Sequence, residues 1–155
     1  MHIKVERAGS ATPDIKALLE ELNAALDGPY ADDQQHGLSI EELFAPHVRF
    51  FVARLDGTAA GCGGVALLKD YAEVKRMYAR ESARGRGVAE ALLARIEAEA
   101  RDAGLACLRL ETGRYQHAAI RFYERTGFRP RREFGPYFDM PARAIALSLF
   151  YEKVI

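Results

Sequence analysis

Apolar positions along the chain recur with two periods, and the places where the period changes mark the elements. Ile3 and Val5 alternate, as a half-buried strand requires. Thr12-Pro13-Asp14 opens a helix with a capping residue and a proline at its first position. Ile15, Leu18, Leu19, Leu22 and Leu26 continue it at helical spacing until Asp27-Gly28-Pro29. Ser39-Ile40-Glu41-Glu42 is a capping box, with Leu38 and Leu43 as its staple, and Pro46 limits this helix to about two turns. Residues 48–55 and 58–68 are apolar runs joined by Asp56-Gly57, a strong hairpin signal. Residues 73–79 form a further strand. Val88, Leu92, Ile96 and Ala100 make one stripe of a long helix closed by Gly104. Residues 106–112 then read as a strand and 118–125 as a helix ended by Gly127. A strand begins over 128–134, and residues 144–154 form the last one.

Strands alternating with a crossover helix demand parallel pairing, and the hairpin demands antiparallel pairing, so a mixed sheet in an α/β fold is expected. At 155 residues the chain suits one domain spanning 1–155, with half of its composition apolar. No run of eighteen apolar residues occurs, and the stretch from Met1 to Arg7 lacks the apolar core of a secretory signal. Cys62 and Cys107 sit in apolar, strand-like surroundings without partner spacing, so they read as core thiols in a reducing, cytoplasmic setting. The formal charge is zero but uneven. Residues 1–71 carry six basic and eleven acidic side chains, and residues 72–155 carry sixteen and eleven. This suggests a polyanionic ligand on one side and a cationic one on the other. Dispersed arginines on a neutral chain argue against nucleic acid, and no membrane contact is expected. His36, His47 and His117 show no metal-ligand spacing, so no metal is expected.

The chemistry concentrates in Arg84-Gly85-Arg86-Gly87-Val88-Ala89, between a strand and a helix. Two glycines let a ligand approach the backbone, and the helix start offers free amides and the positive end of its dipole. Arg84 and Arg86 add charge-assisted contacts to the same anion. No lysine follows these glycines, which excludes the P-loop of kinases and ATPases. Glu90 stands where the dinucleotide fingerprint needs a small residue. What fits is Arg/Gln-x-x-Gly-x-Gly/Ala, met by Arg84, Gly87 and Ala89. A second segment follows about thirty residues later. Gln116, Ala119, Tyr123 and Gly127-Phe128 match Asn-x-x-Ala-x-x-x-Tyr-x-x-x-Gly-Phe, with Gln116 replacing the asparagine.

Together these segments resemble the GNAT superfamily of N-acetyltransferases, over nearly the whole chain and most specifically from Ala72 to Phe128. The resemblance implies a mixed, mostly antiparallel sheet of six to seven strands, whose parallel central pair splays for acetyl-coenzyme A, with about four flanking helices. It implies that the loop holds the cofactor pyrophosphate. It also places Met77, Tyr78 and Ala79 at the pantetheine arm and acetyl carbonyl, with Gln116 and Ala119 beside the arm. Tyr123 is implied as the acid that protonates the departing thiolate, against the alternative of a packing tyrosine. Glu73 is the candidate base, with Glu111 or a water chain as its competitors. Asp27, Asp32, Asp33, Glu41 and Glu42, with Tyr30 and Phe44, flank the region where this family builds its acceptor pocket. They suggest a cationic amine acceptor, or else a solvated loop. Direct attack by a small-molecule or peptide amine is expected, and homodimerisation stays open. The reading from another class is a non-catalytic coenzyme A binding module, which has no use for Tyr123.

Overall fold

The computed structural model describes residues 2–155. Its elements run β1 (Ile3–Arg7), α1 (Pro13–Asp27), α2 (Ile40–Leu43), β2 (Val48–Leu55), β3 (Thr58–Leu67), β4 (Ala72–Ala79), α3 (Val88–Asp102), β5 (Cys107–Gly113), α4 (His117–Arg125), β6 (Arg129–Arg131), α5 (Ala142–Ile145) and β7 (Ser148–Val154). All seven strands share one sheet in the order β1-β2-β3-β4-β5-β7-β6. Every neighbouring pair is antiparallel except β4 and β5. The expected mixed sheet with one parallel central pair is present.

Local signals act where expected. Asp56 and Gly57 both adopt positive φ, 50° and 88°, which gives a two-residue turn whose twist matches that of β2 and β3. Ser39 and Glu42 exchange the reciprocal bonds of the capping box, at 3.2 Å and 3.0 Å. The helix they start is only four residues long, one turn rather than two, because the chain turns at Phe44 before Pro46 is reached. The C-terminal region also differs from expectation. Pro141 launches the short helix α5 through Ala-Arg-Ala-Ile, good helix formers, so the last strand begins at Ser148 instead of residue 144. Strand β6 spans three residues, with Pro130 tolerated because this is the sheet edge.

Both faces of the sheet are covered. Phe50 and Val52 point toward α1, against Leu18, Leu19 and Leu43, while Phe51 and Ala53 point toward α3, against Leu92 and Ile96. Four successive residues of β2, Phe50 to Ala53, are therefore core, which explains its near-continuous apolar run. A third cluster of Phe134, Tyr137 and Phe150 closes the far end.

Two irregularities create space in this packed frame. Strands β4 and β5 pair only at Ala72–Leu108 and Glu73–Arg109 and then part. Along β4, Lys75 opposes Gly64 and Tyr78 opposes Cys62, so two residues face the single Gly63. This bulge holds Arg76 at φ 56°, a left-handed conformation that costs a bulky side chain energy.

Candidate active site

Beyond the last β4–β5 pair lies a groove of about 550 Å³, bounded by the end of β4, the Gly-rich loop, the start of α3 and one face of α4. Met77, Tyr78, Ala79, Arg84, Gly85, Gly87, Val88 and Ala89 line one side of it. Gln116, Ala119 and Tyr123 line the other. Arg86 is exposed and does not line the groove; Arg125 of α4 does, and it pairs with Glu90 at 3.5 Å.

The loop is built for an anion. Gly87 is the residue before α3, at φ 85°, and no side chain caps the helix. The first bond of the helix runs from the Ala91 N–H to the Gly87 carbonyl at 3.0 Å, so the amides between them have no acceptor in the helix. A Cβ on Gly87 would meet only Ile3 Cδ1 at 3.6 Å. Conformation, not crowding, is what requires glycine there. Free amides, the helix dipole and two arginines suit the phosphates of acetyl-coenzyme A, and the parted strands leave an open backbone edge for its arm.

Tyr123 sits where this groove meets a second, smaller cavity of about 120 Å³, and it lines both. Its ring is 6% exposed and packs edge-on against Phe128. Burial, with the charge of Glu111 nearby, pushes the phenol well above its ordinary range, so it is a protonated donor near neutrality.

The smaller cavity lies between the end of α1, the loop 34–37, the bulge of β4 and the parted stretch of β5. Glu111 lines it. Ser148 Oγ donates to Glu111 Oε2 at 2.6 Å, and burial raises the carboxyl above the usual carboxylate range despite that bond. Tyr30 forms another wall. Its hydroxyl accepts the Tyr115 N–H at 2.9 Å and occupies the space that a Cβ on Gly113 would need.

Glu73 does not line either cavity. It is 4% exposed, accepts the Tyr137 hydroxyl at 2.7 Å, and pairs with Lys75 Nζ at 2.9 Å. Lys75 also donates to the Tyr137 hydroxyl and to the His36 carbonyl. Glu73 thus serves as the counter-ion of the half-buried Lys75, and the carboxylate brought to the cavity is Glu111.

Comparison with known proteins agrees with this geometry. The model of the Acetyltransferase (GNAT) family matches residues 15–128. The chain belongs to the GNAT acetyltransferase family. It is 42% identical over 154 residues to an IAA acetyltransferase of Azospirillum brasilense, covering 98% of this chain and 97% of that one. A Klebsiella pneumoniae structure assigned to the acyl-CoA N-acyltransferases superposes with a TM-score of 0.78 at 33% identity, covering 98% and 97% of the two chains. The PaiA N-acetyltransferase of Thermoplasma acidophilum, solved with coenzyme A, shares the fold at a TM-score of 0.75 and 19% identity over the full length of both chains. The chain is an acetyl-coenzyme A-dependent N-acetyltransferase.

In this acetyltransferase the acidic residues from the end of α1 to α2 do not line the smaller cavity. Asp33 pairs with Arg143 at 3.1 Å, Asp27 accepts from Gln35 at 3.0 Å, and Glu42 caps α2. Asp32 and Glu41 are exposed, and Phe44 packs edge-on against Phe50. The sequence tally counted charge along the chain, whereas the cavity samples only side chains that fold inward. Three residues escaped the sequence reading. Arg76 reaches the smaller cavity through the bulge, Tyr137 holds Glu73 and Lys75 from a 3₁₀ turn at Gly135–Asp139, and Arg125 lines the groove by its place on α4. Of these, only Arg125 carried a readable signal, three residues after Phe122 and seven after Ala118, on one face of a helix already assigned to the cofactor. Among the described residues, no helix is long and apolar enough to cross a membrane.

Proposed function

We propose that residues 1–155 act as one catalytic domain that transfers an acetyl group to an amine held in the smaller cavity, by direct attack within a ternary complex. Acetyl-coenzyme A supplies the thioester. Arg84, Arg125 and the free amides at the start of α3 bind its phosphates. Backbone amides of Met77 to Ala79, on an edge that β5 no longer covers, take the developing charge on the acetyl oxygen. Glu111 accepts a proton from the amine, whose nitrogen lone pair forms the bond to the acetyl carbon as the carbon–sulfur bond breaks. The raised affinity of Glu111 for protons makes it a better base than an ordinary carboxylate. Tyr123 gives its proton to the departing thiolate.

One observation carries this reading: Tyr123, with Met77, Gln116 and Ala119, lines both cavities, so the cofactor groove opens directly onto the acceptor space at a protonated phenol. A binding module has no need of that continuity. Tyr123→Phe keeps the ring and its packing and removes only the hydroxyl. Turnover should fall on the order of 10² to 10⁴-fold, with affinity for acetyl-coenzyme A close to wild type by calorimetry. Unchanged turnover when chemistry limits the rate would make Tyr123 a packing residue. No thiol release from any amine by the wild-type protein, with cofactor binding intact, would favour the non-catalytic module.

A further inference from the structure

Two charged side chains of the smaller cavity have no ionic partner among the described residues. Lys75 is matched by Glu73. Arg76 and Glu111 also line the cavity, and among the described residues neither forms an ion pair. The guanidinium of Arg76 donates through Nη2 to the side-chain Oδ1 of Asn23, while Nε is buried with no partner at all. A guanidinium presents five N–H donors, so most of its capacity is unused. Burial lowers the hold of Arg76 on its charge, with no carboxylate close enough to restore it. A partly buried, unpaired cation is costly to keep in an apolar fold. Arg76 is held there by two features that themselves cost stability or constrain sequence. One is its left-handed backbone at the bulge. The other is Gly37, where a Cβ would overlap the guanidinium.

We propose that Arg76 binds an anionic group of the acceptor, so that the acceptor is a small amino acid, with its carboxylate on Arg76 and its amine at Glu111. This rests on the transfer reading above and names its substrate class. A carboxylate matches the planar fork of a guanidinium with two parallel bonds, which a lone amine or alcohol does not. A cavity offering one unpaired cation and one unpaired anion complements a ligand that carries both charges before the amine is deprotonated. The exposed acidic residues outside the cavity make no contact with such a ligand, so the earlier expectation of a cationic acceptor has no support in the fold. Arg76 fixes orientation: with the carboxylate held, the nitrogen is directed toward Glu111 and the Tyr123 junction rather than into the loop 34–37.

The test is a thiol-release screen with acetyl-coenzyme A over the common L-amino acids, each beside its α-carboxamide. The acid form of the best acceptor should exceed its amide by about 10²-fold in kcat/KM, the size of effect expected when one partner of a hydrogen-bonded charge pair is lost. In Arg76→Gln that ratio should collapse toward one, mainly through KM for the acid. Gly37→Ala should act the same way by displacing the guanidinium, and it decides the matter if Arg76→Gln does not fold. Equal use of acid and amide by the wild type would overturn the proposal, as would a ratio that survives both substitutions. A panel in which no acid or amide releases thiol would overturn it too. In that case persistent binding of acetyl-coenzyme A leaves the transfer reading standing, and loss of that binding removes both.

Discussion

Glu111 and Glu73 are carboxylates on adjacent parallel strands, and their partners give them different work. Glu73 meets a lysine and a phenol, so its charge is fully used within the fold. Glu111 receives one hydroxyl and otherwise faces the cavity, so burial dominates and its carboxyl titrates high. Two consequences follow for Glu111→Gln, which keeps an acceptor oxygen for Ser148. Turnover should drop, because the amide cannot take a proton at neutral pH. Stability should change in the opposite sense, with a defined pH dependence. The native pKa lies above the unfolded one, so protonation favours the native state, and that advantage is lost as pH rises through the native value. Wild type therefore carries the cost of a buried charge at high pH and none in acid. The stability gap in favour of Glu111→Gln, from urea melts between pH 4 and pH 8, should widen as pH rises. A gap that does not change with pH would mean that Glu111 titrates like an exposed carboxylate. Wild-type kcat/KM should fall on acidification through the same native pKa.

At the level of elements, the loop from Arg84 to Gly87 and helix α4 were legible because their meaning is local. Spacing alone places Gly87 before a helix, and spacing alone puts Ala119 and Tyr123 on one face. Such segments invite local tests. Gly87→Glu adds negative charge at the positive end of α3, and it forces φ 85° on a residue with a Cβ. Binding of acetyl-coenzyme A should be abolished by calorimetry while the far-ultraviolet circular dichroism stays native. Affinity equal to wild type would displace the phosphates from this loop. The smaller cavity was less legible, since it depends on register. Nothing in the residues 72–79 announces the extra residue that makes the bulge, because the shift exists only relative to Gly64 and Cys62 on β3. Without the bulge Arg76 would follow strand alternation to the other face. Tyr137 was hidden for a similar reason. Its 3₁₀ turn has no periodic pattern, and its contact with Glu73 joins residues sixty-four positions apart. The choice between Glu73 and Glu111 was a choice between tertiary partners, which the sequence leaves open.

Across the whole molecule, the parting of β4 from β5 does what neither strand does alone. It opens one groove beside the Gly-rich loop and one cavity beside the end of α1, and the two meet at Tyr123. In the proposed reading both substrates fit together, and an acyl-enzyme intermediate would need a nucleophile at that junction. The two cysteines do not supply one. Cys62 is buried against α1, and burial pushes its thiol up to about 12, so almost no thiolate exists at neutral pH. Cys107 is raised as well, chiefly by burial, and its Sγ lies 3.2 Å from Glu152 Oε1, whose charge opposes ionisation. Neither lines the groove or the cavity. Initial rates measured at several fixed concentrations of the second substrate should give double-reciprocal lines that intersect, the signature of a ternary complex. Incubation with acetyl-coenzyme A alone should leave the mass of the protein unchanged, and Cys107→Ser should retain turnover. Parallel lines together with a protein heavier by one acetyl group would show a covalent route and displace direct attack as the mechanism.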